Sequence, residues 1–130
     1  MAEHPNAEVL RKGFEAFAKG DMATLTGMFA DNVVWHLSGN SPLAGEHRGR
    51  DAVFALFARI AELSGGTIRM ELHDVLANDE HAVALFRETA SRQGRQLNQL
   101  EVVVWHMSGG KATEAWSFPY DQQVSEEFWS

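Results

Sequence analysis

The chain has 130 residues, no cysteine, 45 % hydrophobic residues and a formal charge of −7 from eleven basic and eighteen acidic side chains. That length fits one domain over residues 1–130 with a core of its own, and the composition excludes a disordered chain, disulfides, thiol catalysis and cysteine-held metal. An acidic chain without a basic stripe does not suit a phosphate backbone, so nucleic acid is not an expected partner.

In chain order, Met1-Ala2-Glu3-His4-Pro5 has neither the basic region nor the apolar run of a signal peptide. No window approaches roughly 18 apolar residues, so no membrane partner is expected and the expected location is the cytoplasm. Val9, Leu10, Gly13, Phe14 and Phe17 recur at helical spacing, and Gly20 is placed to end that helix in the left-handed conformation. Asp21 is placed to cap a short helix whose Leu25, Met28 and Phe29 share a face. Asp31-Asn32 reads as a turn, and Val33 to Leu37 as a short strand. Ser38 to Gly49, rich in Gly, Asn and Pro, reads as a long loop bordering a site. Asp51 is expected to cap a third helix with Val53, Leu56, Phe57, Ile60 and Leu63 on its apolar face, stopped by Ser64-Gly65-Gly66. Four strands follow, over 67–77, 81–91, 96–107 and 111–120, separated by turn-forming residues. The tail ends in Phe128-Trp129. Three helices and then an antiparallel meander predict an α+β fold, the helices packed on one face of a curved sheet around a cavity.

Five stretches carry a family resemblance: Phe14-Glu15-Ala16-Phe17 with Gly20-Asp21, Phe29-Ala30-Asp31-Asn32-Val33-Val34-Trp35-His36, Gly49-Arg50-Asp51-Ala52-Val53, Gly109-Gly110-Lys111 and Glu114-Ala115-Trp116-Ser117-Phe118. In this order the chain resembles the nuclear transport factor 2-like superfamily, and within it the SnoaL-like group with polyketide cyclases and ketosteroid isomerases. The resemblance implies a single cone-shaped α+β domain, a mixed curved sheet around an apolar pocket, and a homodimer through the outer sheet face. It implies a small apolar molecule as ligand and either of two functions. One is a cofactor-independent isomerase, cyclase, dehydratase or hydrolase acting on an apolar or polycyclic substrate. The other is a non-catalytic binding or assembly module on the same fold.

The steroid isomerase residues are not matched. That chemistry needs a carboxylate base, a tyrosine and a protonated aspartate. The base position falls near Leu37 with His36 beside it, the tyrosine position near Gly13 or Phe14, and the aspartate near Val102 with Glu101 beside it. A shift of one residue turns a strand side chain to the other face. The expected acid–base groups are therefore His36, Glu114, His106 and Asp121, with Arg87 stabilising an anion. Each has a structural reading beside it. Glu114 and Arg87 read first as partners of a charge across the sheet, with Glu101 or Glu114 suiting Arg87. His36, whose parity differs from that of Trp35 and Leu37, reads first as a structural or interface histidine, and His106 reads as readily as a hydrogen-bonded core histidine. Phe14, Phe17, Trp35, Leu37, Phe57, Val102, Trp116 and Phe118 are the expected pocket residues, with Trp105 on the outer parity as a dimer anchor. No His-x-His or His-x-x-x-His spacing occurs, so no metal is expected, and no nucleotide-binding fingerprint calls for a cofactor.

Overall fold

The computed structural model describes residues 3–130; Met1 and Ala2, part of the stretch read above as unlike a signal peptide, lie outside them. The elements run α1 (Pro5–Lys19), α2 (Met22–Met28), β1 (Phe29–Leu37), β2 (Gly45–Arg48), α3 (Arg50–Leu63), β3 (Arg69–Ala77), β4 (His81–Arg92), β5 (Arg95–Ser108), β6 (Lys111–Pro119) and α4 (Gln122–Trp129). The six strands form one sheet in the order β2-β1-β6-β5-β4-β3. Only β1 and β6 pair in parallel, so the sheet is mixed, and β2 and β3 are its edges.

Local chemistry explains the helix ends. Gly20 takes φ 70°, and its N–H is donated back to the last turn of α1. Asp21 accepts from the Thr24 N–H and starts α2. Four details differ from the sequence reading. Asp31-Asn32, read as a turn, lies inside β1, which starts at Phe29 rather than at Val33 because pairing with β6 begins there. Gly49, not Asp51, stands at the N-cap of α3, because φ 91° there needs glycine. The stretch 38–49 is not wholly a loop, since Gly45–Arg48 pairs antiparallel with β1. The tail forms α4, capped by Asp121, whose carboxylate accepts from the Gln123 and Val124 N–H groups.

All four helices lie on one face of the sheet. α1 lies against β3 and β4, α3 against β1 and β2, and α4 against β5 and β6. Four inward rungs organise that face across the strands. Ala82, Trp105, Ala115 and Trp35 form the first, and Ala84, Val103, Ser117 and Leu37 the second. Phe86, Glu101 and Pro119 form the third, and Glu88 with Gln99 the fourth. Phe29, 1 % exposed, packs its ring on Trp35, Phe54, Phe57 and Trp105 at centroid distances of 5.9–6.3 Å. Each such ring pair adds about 0.5–1.5 kcal/mol beyond its buried area. No described helix is long and apolar enough to cross a membrane.

Candidate functional site

Between the sheet and the helices lies a cavity of about 110 Å³. At the first rung its wall is aromatic. Trp35 and Trp105 meet edge to face at 4.8 Å, and the Trp35 indole N–H donates to the Ser117 hydroxyl at 2.9 Å. Phe17 meets Phe57 at 5.4 Å on the helical side. The Trp105 indole N–H is buried without an acceptor among the described residues. Opposite, the polar end is framed by Ser38 and Ser41 and by Gln122, Ser125 and Glu126.

Two carboxyls, Glu88 on β4 and Glu101 on β5, line the same cavity. Glu101 pairs with Phe86 and Glu88 with Gln99, so the two glutamates are diagonal neighbours on the inner face. Removal from bulk water pushes the Glu101 carboxyl well above the ordinary carboxylate range, and charge repulsion from Glu88 and a hydrogen bond donated to it add to the effect. Glu101 keeps some accessible surface, which is consistent with its place on the cavity wall. Next to this pair Gln99, 7 % exposed, accepts from the Asp121 N–H at 3.0 Å and donates to the Ser125 hydroxyl at 2.8 Å. Those two bonds hold α4 beside the carboxyls.

Most of the expected catalytic groups lie elsewhere. His36, Glu114 and His106 share the outer face. His36 Nε2 meets the Glu114 carboxylate at 2.6 Å, His106 Nδ1 lies 3.8 Å from it, and the Trp116 ring stacks on His36 at 5.2 Å. Arg87 is exposed on that face and donates to Asn98 at 2.7 Å, not to Glu101 or Glu114. Asp121 is the exposed cap of α4. Of the expected pocket residues, Phe14, Phe17, Trp35, Leu37 and Phe57 line the cavity, whereas Val102, Trp116 and Phe118 do not. Trp105, expected outside, is 2 % exposed and lines it. One cause underlies the corrections on β4, β5 and β6. On β4, β5 and β6 the parity that looked inward is the outer one, because both faces of these strands are apolar and alternation does not say which is covered. The same inversion hid Glu88 and Glu101. The available signal was that Glu101 shares parity with Val103 and Trp105, and Glu88 with Ala84 and Phe86.

A family model described as a SnoaL-like domain matches residues 10–115. An uncharacterized protein of Mycobacterium tuberculosis is 37 % identical over 131 residues, which cover the whole of both chains. Among solved structures, Bal32a from a soil-derived mobile gene cassette superposes with a TM-score of 0.94 at 38 % identity, covering 97 % of each chain. An NTF2-like protein from Burkholderia xenovorans LB400 gives a TM-score of 0.84 at 21 % identity, covering 100 % of this chain and 99 % of that one, a likeness of fold alone.

Proposed function

The chain belongs to the SnoaL-like family, and from that premise we propose that it binds a small, largely apolar molecule and performs cofactor-independent acid–base chemistry on it, with Glu88 and Glu101 as the proton-transfer pair. The observation that carries this reading is a carboxyl pair on the wall of an otherwise largely apolar cavity. Burial and the neighbouring carboxyl disfavour charge on Glu101, so it resists losing its proton. Glu101, desolvated, keeps it and acts as the acid; Glu88 is the base. Glu88 takes a proton from an acidic C–H of the substrate, and Glu101 gives its proton to the oxygen or nitrogen on which charge develops. The C–H electron pair moves into the new double bond, and the proton now on Glu88 passes back to Glu101, which restores the pair. Trp35, Trp105, Phe17 and Phe57 hold the apolar body and exclude water.

Deuterium exchange tests this. An apolar cyclic ketone such as a tetralone, incubated with the protein in D₂O, is expected to gain deuterium at its α-carbon faster than in buffer. Glu88→Gln is expected to abolish the gain. Exchange equal in the variant and the wild type would remove Glu88 as base. A second copy of the chain is the partner this reading adds. Leu100 and Phe118, 49 % and 51 % exposed, lie with Val102, Val104 and Trp116 on a sheet face that no helix covers. Apolar faces of this kind mark association surfaces.

A further inference from the structure

The charge on the cavity wall narrows the ligand class. Glu88, Glu101 and Glu126 line it, and among the described residues no Lys, Arg or His does. Nearby cations are engaged elsewhere. Arg92 donates to the Phe128 and Ser130 carbonyls, Arg95 to the Glu127 carbonyl, and Arg87 to Asn98 on the outer face. Neither Glu88 nor Glu101 forms an ion pair among the described residues, and the charged neighbour of Glu101 is Glu88. Charge taken out of water is ordinarily paired or neutralised by a proton; Glu101 favours its protonated form and Glu88 has no cation beside it among the described residues, so this wall lacks a counter-ion. Two rings stand beside it. Phe86 is the Cα partner of Glu101, and Phe14 meets Phe86 at 5.1 Å. Ring faces near a carboxylate suit a cation. Trp105 lies four strand residues from Glu101 on the same face, roughly 13 Å along the strand, the length of a one- or two-ring skeleton with a short arm.

We propose that the molecule taken up by this cavity is a lipophilic nitrogen base, its protonated nitrogen held by Glu88 and Glu101 beside Phe14 and Phe86, and its apolar body lying toward Trp35 and Trp105. The proposal rests on the apolar-ligand part of the reading above and names the class of that ligand; with both carboxyls on the ammonium, Glu101 has given up the proton that the C–H chemistry would use. A free base accepts the proton of the Glu101 carboxyl, leaving an ammonium between two carboxylates. A base that is already protonated in solution keeps its proton, and the Glu101 proton goes to bulk water. A carboxylic acid or phosphate ester would bring a second anion to an acidic wall and is excluded.

Naphthylmethylamine, naphthylmethanol and naphthoic acid share one ring system and test the charge alone. Binding is read from Trp35 and Trp105 fluorescence at about pH 8, where the amine is mostly protonated, and by calorimetry in two buffers of different ionisation enthalpy. The amine is expected to bind about tenfold tighter than the alcohol or better, with up to one proton released per amine and none per alcohol, and the acid not to bind. In Glu101→Gln and Glu88→Gln, checked for folding by circular dichroism, the amine-to-alcohol ratio is expected to fall toward one. If the alcohol or the acid binds as well as the amine, the nitrogen-base proposal is wrong while the apolar-ligand reading stands. If none of the three binds the wild type, both are overturned.

Discussion

Glu101 concentrates the tension between burial and chemistry in one side chain. Its folded pKa lies above the ordinary value of 4.5 because burial opposes the charge and Glu88 adds like charge. Between the unfolded and folded values the native protein holds a proton that the unfolded chain has released. This contribution to stability is therefore fully present below about pH 4.5 and is lost as pH rises through the folded value. Glutamine has the shape of the protonated acid and does not titrate. Glu101→Gln is thus expected to raise the unfolding free energy at about pH 8 and to change it little at about pH 4. Urea unfolding at both pH values measures it. An equal effect at both would mean that Glu101 titrates as an ordinary carboxylate. The gain would be a case of a functional group held at the expense of stability.

Among the elements, α4 depends most on the rest of the molecule. Its eight residues are too few for a helix that stands alone. Asp121 caps its start, Gln99 ties that start to β5, and Arg92 and Arg95 donate to carbonyls at its end. Those arginines also oppose the negative end of the helix dipole. Gln99→Leu keeps the approximate volume but leaves the Asp121 N–H without its acceptor. We expect a loss of about 1–3 kcal/mol, with hydrogen exchange accelerated in α4 more than in β4 or β5. Undiminished protection of the α4 amides would show that the apolar contacts of Phe128 and Trp129 hold it alone. The motion matters to function because Gln122, Ser125 and Glu126 frame the cavity's polar end.

The whole molecule has two apolar sheet faces and helices enough for one. The inner face carries the cavity, and the outer face is left with Leu100, Val102, Val104, Trp116 and Phe118. His36, Glu114 and His106 sit among them and give that face a polar centre. Phe118→Glu places a charge on the outer face without touching the cavity. Sedimentation is expected to show a dimer for the wild type and a monomer for the variant, with an unchanged far-ultraviolet spectrum. A wild-type monomer would remove the second copy from the proposed function and leave the cavity chemistry intact.

How much was legible from the sequence follows from how local each signal is. Helical periods, Gly20, Asp21, Ser64-Gly65-Gly66 and the turn residues between strands act within a few positions. They carry the α+β class, three of the four helices and four of the six strands close to their observed bounds. β2 was hidden because four residues in a glycine-rich stretch become a strand only when β1 lies alongside, and α4 because so short a helix forms only on a prepared surface. Phe14, Phe17, Trp35, Leu37 and Phe57 were readable as cavity residues because helix faces and the short β1 show one apolar side. Glu88, Glu101 and Trp105 were not. On β4 and β5 both alternating sets are apolar, and the chain does not encode locally which set the helices will cover. Docking of α1, α3 and α4 decides it, and with that choice a carboxyl pair comes to face the cavity while His36, Glu114 and Arg87 face outward.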